Sequence, residues 1–158
     1  MGRGPTTLIV AVFAAALLVA GCGGGDSDSS GSSGGSISKE EFAAKANAIC
    51  KNGTERLQTA IGHILKDQPN ITKVSQAEQE KIVTTVLVPN VSREVKELRA
   101  LGAPDGDEER VDAMVTALEE GVETAERDPQ AVTKSSDAIF GIASRIAGEY
   151  GLTTCGSR

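Results

Sequence analysis

A chain of 158 residues has room for one domain once targeting and spacer segments are set aside, and removing residues 1–36 leaves about 122, near the commonest domain size. There is no Trp, and the only rings beyond residue 36 are Phe42, Phe140 and Tyr150, which excludes an aromatic cage, a sugar platform and a base-stacking surface. The 16 Lys and Arg, one of them Arg3 in the leader, face 22 Asp and Glu, so the acidic surface excludes nucleic acid as a partner and gives no strong attraction to anionic headgroups.

The first segment has the three parts of a secretory signal: Arg3, an apolar centre from Leu8 to Ala20, and small residues before a cut. The apolar centre is about 13 residues, too short for the roughly 20 that a spanning helix needs. It closes on Leu18-Val19-Ala20-Gly21-Cys22, and this ending resembles the lipobox of bacterial lipoproteins. The resemblance implies that residues 1–21 are removed as a signal peptide and that the Cys22 sulfur carries diacylglycerol. Ordinary secretion would instead leave Cys22 as an odd free thiol. Met1-Gly2 with Thr6 also fits the pattern for myristoylation, but such acylation would have to outcompete export. Two or more acyl chains hold a protein stably at a membrane, where one gives only marginal binding. The expected location is therefore the extracytoplasmic side of a cell membrane, with the lipid on Cys22 as the membrane link.

Residues 22–36 form the expected linker, since Gly23 to Ser36 is almost wholly Gly, Ser and Asp and has nothing to bury. Asp26 and Asp28 sit in this tract, where no coordination geometry is held.

A helical domain is expected over 37–158. Ser38 with Glu41 makes a capping box, flanked by an Ile37–Phe42 staple. From Phe42 through Ala46, Cys50, Gly53 and Leu57 to Leu65, apolar residues recur at steps of three and four, predicting one helix of about 28 residues. The pattern breaks over Asp67 to Thr72, where Pro69 stops it. Ser75 with Glu78 is a second capping box, and Leu87, Val91 and Val95 keep a four-residue step across Pro89. This predicts a kinked helix over 76–101, with two separate pieces as the alternative. Asp105 to Glu109 opens a third helix carrying Val111, Met114, Val115, Leu118, Val122 and Ala125. Asp128-Pro129 turns the chain, and a last helix runs from Ser136 to Tyr150 with Gly151 as a left-handed cap and Leu152 folding back on Ala147. No stretch has a period of two. The fold class is all-α, a single antiparallel bundle of about four helices.

With Cys22 assigned to lipid, Cys50 and Cys155 form an even pair in an oxidising compartment and are expected to make a structural disulfide. A redox or metal role would want C-x-x-C spacing or nearby His ligands, which the sequence lacks. The single histidine, His63, has no motif that would give it an orienting partner and a nucleophile. His63 with Met114 as haem ligands lacks an attachment motif. Asp105 to Glu109 lacks the layout of a calcium loop and reads as helix start and solubility. Glu119, Glu120 and Glu123 read as a solvated helix face. Asn52, Asn70 and Asn90 begin glycosylation patterns that a bacterial lipobox makes coincidental. Neither a catalytic residue, a metal nor a cofactor is expected. Gly53, Gly62, Gly121, Gly141 and Gly148 lie inside predicted helices, each at about 1 kcal/mol relative to Ala. They permit close helix contacts or line a space where a ligand approaches backbone.

The arrangement of Phe42, Ile49-Cys50, Leu98, Leu101, Pro104 and Tyr150-Gly151-Leu152 with Cys155 resembles small, uncharacterised actinobacterial cell-envelope lipoproteins. The resemblance implies a small helical domain with a paired Cys, and no activity comes with it. The function expected is a non-catalytic envelope module that contacts another protein or the cell wall. The alternative is a bundle binding a small apolar molecule or lipid, which an enclosed apolar cavity of several hundred cubic ångströms would favour and a solid core would dismiss.

Overall fold

The structure is a computed structural model and describes residues 36–66 and 74–157. The expected leader 1–21, the expected lipid attachment at Cys22, almost all of the expected 22–36 linker and the break expected at 67–72 lie outside the described residues. Within them the chain is all-α, with no strand.

Helix α1 runs from Lys39 to Leu65. Ser38 Oγ accepts from the Glu41 amide at 3.1 Å, and Ile37 packs on the core that holds Phe42. Only this forward half of the first capping box forms, because the Glu41 carboxylate pairs with Lys45 at 2.7 Å. At α2, Gln76–Ile82, the box is complete: Ser75 Oγ accepts from the Glu78 amide, and the Glu78 carboxylate accepts from the Ser75 amide at 3.0 Å.

The expected kink before Pro89 takes the form of a π-helical segment, Val83–Leu87, that joins α2 to α3, Val88–Leu101, without a break. Proline offers no amide hydrogen and its ring crowds the carbonyl four residues back. Widening the preceding turn meets both problems, and the Val88 amide donates to the Val83 carbonyl, five residues back. The hydroxyls of Thr84 and Thr85 donate to the Lys81 carbonyl at 3.1 and 2.7 Å, keeping it bonded where the register shifts.

Helix α4 spans Glu108–Arg127. A short helix absent from the sequence reading follows: α5, Pro129–Lys134, capped by Asp128, which accepts from the Ala131 amide at 3.1 Å. Asp-Pro serves equally as a turn or as N-cap and first helical residue, and here it does the second. Helix α6 spans Ser136–Tyr150 and ends in the expected cap. Gly151 has φ 97°, the Leu152 amide donates to the Ala147 carbonyl at 2.8 Å, and Leu152 is fully buried.

The long helices pack as a row, α1 on α3, α3 on α4, and α4 on α6. Pairs such as Gly53–Glu94 with Arg56–Asn90, and Asp107–Tyr150 with Gly121–Phe140, set each antiparallel to its neighbour. Phe42, Leu98, Met114, Val115, Tyr150 and Leu152 fill the larger core. A smaller one gathers Val83, Val88, Val91, Val122 and Ala125 under Val132 of α5. Across α3 and α4, Arg99 holds Glu119 through two parallel bonds of 2.6 and 2.5 Å and also reaches Asp112 at 3.3 Å.

Candidate functional site

The row leaves α1 and α6 as its two ends, and they make no comparable helix-to-helix contact. They are joined instead by the segment after α6. The Thr154 amide donates to Asn47 Oδ1 of α1 at 2.8 Å, and Cys155 is disulfide-bonded to Cys50 with Cα atoms 5.3 Å apart and 105 residues between them in sequence. On its other side this segment lies flat on α6, where a β-carbon at Gly156 would come within 2.7 Å of the Gly148 backbone.

Between α1 and α6 lies an apolar cleft of about 160 Å³. Its floor is Leu87 of the π-helical segment, Val91 and Leu98 of α3, and Met114 and Leu118 of α4; the α1 wall is Cys50 and Leu57. The α6 wall carries Phe140 and, beyond it, Gly141, Ala143, Ser144 and Ala147, residues too small to fill the gap. Gly141 is the clearest case, since a β-carbon there would meet nothing within 4 Å. Gly53 and Gly121 are of the opposite kind. A β-carbon at Gly53 would overlap the Glu94 carboxylate, and one at Gly121 would stand 2.6 Å from the Phe140 ring. Gly53 and Gly121 thus permit close helix contacts, whereas Gly141 borders open space.

The polar residues of the lining are Ser136, Asp137 and Asn90 toward one end and Ser144, one turn before Ala147. Ser136 and Asp137 belong to the first turn of α6 and are exposed. Asn90 is committed elsewhere: its Nδ2 donates to the Gly53 carbonyl and to Glu94 Oε1, both at 3.1 Å, and its Oδ1 accepts from Arg56 Nε at 3.1 Å. Glu94 is fully buried between α1 and α3. The sequence reading passed it over, although Val91, Glu94, Val95 and Leu98 share one helical stripe, the signal that would have found it.

The remaining candidates are not brought together. His63 is exposed near the end of α1, Met114 is buried in the larger core, and no cavity is shared by the two. Asp107 is the N-cap position of α4, yet its carboxylate accepts from the Tyr150 hydroxyl at 2.8 Å and pairs with Lys39 at 3.1 Å. The Tyr150 and Lys39 bonds hold the Asp107 carboxyl below its usual range. Burial first, and then the Asp107 carboxylate, push the Tyr150 phenol up to about 12. Among the described residues, no three His, Cys, Asp or Glu side chains are grouped to hold a metal ion. No helix among them is long and apolar enough to cross a membrane.

A cleft of this size is smaller than the several hundred cubic ångströms that would favour the ligand-binding alternative, yet the interior is not the solid core that would dismiss it. It lies below the usual ligand-pocket range and close to the roughly 150 Å³ of an apolar cavity known to take benzene. No family model, no curated protein and no solved structure matches this chain.

Proposed function

We propose that this protein is a non-catalytic binding module, tethered by lipid on Cys22 to the extracytoplasmic face of a membrane, whose α1–α6 cleft takes a small apolar molecule. The observation that carries the reading is the cleft itself. Small residues on α6 leave unfilled a space that a close-packed bundle would fill. The leader and its resemblance to a lipobox support the location, where apolar molecules leave and enter the bilayer. Contact with another envelope protein is the second reading, favoured by the apolar side chains of Ile64 and Ile142, which are 48% and 61% exposed.

Calorimetric titration of the mature chain carrying Cys22→Ser, made in an oxidising compartment, with 1-hexanol tests the binding reading. A saturable isotherm at one molecule per chain is expected. Heats that never saturate, as an unrelated acidic protein would give, would overturn it.

A further inference from the structure

The cleft differs along its length, and that difference specifies its occupant. The α6 wall from Ser136 to Ala147 is roughly 16 Å long at 1.5 Å per residue, yet the cleft holds only about 160 Å³. It is therefore an elongated slot, matched in length by an extended chain. One end is the drier: Ala147, Leu98 and Met114 are nearly inaccessible there, Cys50 and Cys155 close it, and Ser144 is the one polar side chain on that half of the α6 wall. The other end opens at Ser136 and Asp137, and Asp137 is the one charged residue of the lining. Midway, Gly141 presents bare backbone to open space.

We infer that the cleft takes one unbranched alkyl chain, laid along α6 over Gly141, with its methyl end toward the Cys50–Cys155 disulfide and an uncharged, hydroxyl-bearing head at Ser136 and Asp137. The inference rests on the binding reading above and adds the ligand class and its direction. A hydroxyl donates to the Asp137 carboxylate, whereas an anionic head meets a like charge there. The acidic surface works in the same sense. Gly141 is the gauge of the slot, since any larger side chain at that position stands where the chain would lie.

The test is a titration series of 1-butanol through 1-decanol and the matching carboxylates at neutral pH, on the mature Cys22→Ser chain and on its Gly141→Leu and Asp137→Asn variants. Affinity for the alcohols rises about fourfold per methylene until the slot is full, the increment of one buried methylene. Each alcohol exceeds its carboxylate by roughly fivefold, the size of one like-charge contact at about 4 Å in water, and Asp137→Asn removes that gap. Gly141→Leu abolishes binding while the variant keeps its helical circular dichroism and cooperative unfolding. Carboxylates binding as tightly as alcohols would overturn the head assignment and leave the cleft standing. Undiminished binding by a folded Gly141→Leu variant, or affinity independent of chain length, would overturn the chain's path. Binding by the Cys22→Ser chain but not by the acylated protein in vesicles would assign the slot to the protein's own anchor and overturn a free ligand. No binding by any compound would instead remove the binding reading.

Discussion

The backbone of Gly53 on α1 lies directly against the carboxylate of Glu94 on α3, so close that no β-carbon fits between them. A buried carboxylate is costly unless it is bonded, and here the missing side chain lets it reach the helix beside Asn90, which bridges it to the Gly53 carbonyl. Gly53→Ala should destabilise the protein by about 1–3 kcal/mol through overpacking, despite the better helix propensity of Ala. On a Glu94→Ala background the same change should cost nothing or add up to about 1 kcal/mol. Urea unfolding of the four proteins of this cycle measures both terms, and a Gly53→Ala penalty unchanged by Glu94→Ala would show that the contact is not its cause.

Much of this architecture is legible in the sequence because it rests on local signals. The Ser75–Glu78 box, the Gly151 cap and the four-residue step across Pro89 each concern atoms within a turn or two of one another. The Cys50–Cys155 pair was legible for another reason: once Cys22 is set aside, those two remain. Less legible was what depends on which helices are neighbours. Gly53, Gly121 and Gly141 look alike in sequence, and only the packing row separates the two that are pressed from the one that is open. Glu94 was visible as a charge on an apolar stripe, but its partners on α1 were not. Asp128-Pro129 was ambiguous between turn and helix start, and α5 came from the second use.

The disulfide fastens the segment after α6 to α1 and closes the drier end of the cleft. Replacing both Cys50 and Cys155 by Ser should lower stability by about 5 kcal/mol, the chain-entropy value for a loop near 100 residues, or less if the reduced unfolded chain keeps structure. Hydrogen exchange at the amides of Leu152 and Thr154, which donate to Ala147 and Asn47, should accelerate more than exchange in α4. Equal acceleration throughout would show that the bond acts only on global stability.

The Tyr150–Asp107 pair gives the protein a pH signature at both ends of the scale. Asp107 titrates lower in the folded state, so its contribution is present above about pH 4, the ordinary carboxylate range, and is lost as pH falls through the lowered folded value. Tyr150 titrates higher, so its contribution is present below about pH 10 and is lost as pH rises toward 12. Tyr150→Phe should lower the urea midpoint at neutral pH and weaken its fall between pH 10 and 12. An alkaline fall as steep in the variant as in the parent would assign it to other groups.

Anchoring through Cys22 predicts that the native protein fractionates with membranes, and that Cys22→Ser moves it to the soluble fraction with its fold intact. Intact mass of the native form should show a chain beginning at residue 22 that carries acyl groups. A Cys22→Ser variant that stays membrane-bound would contradict the anchor and leave the bundle and its cleft unaffected.

The most direct test of the cleft as a binding site is where a bound molecule is felt. In amide NMR spectra of the isotopically labelled Cys22→Ser chain, 1-octanol should shift Gly141, Ala143 and Ala147 on α6 and Leu57 on α1 in a saturable way, and leave the outer face of α4 in place. Shifts centred on the exposed Ile64 and Ile142, or no saturable shifts at all, would contradict it.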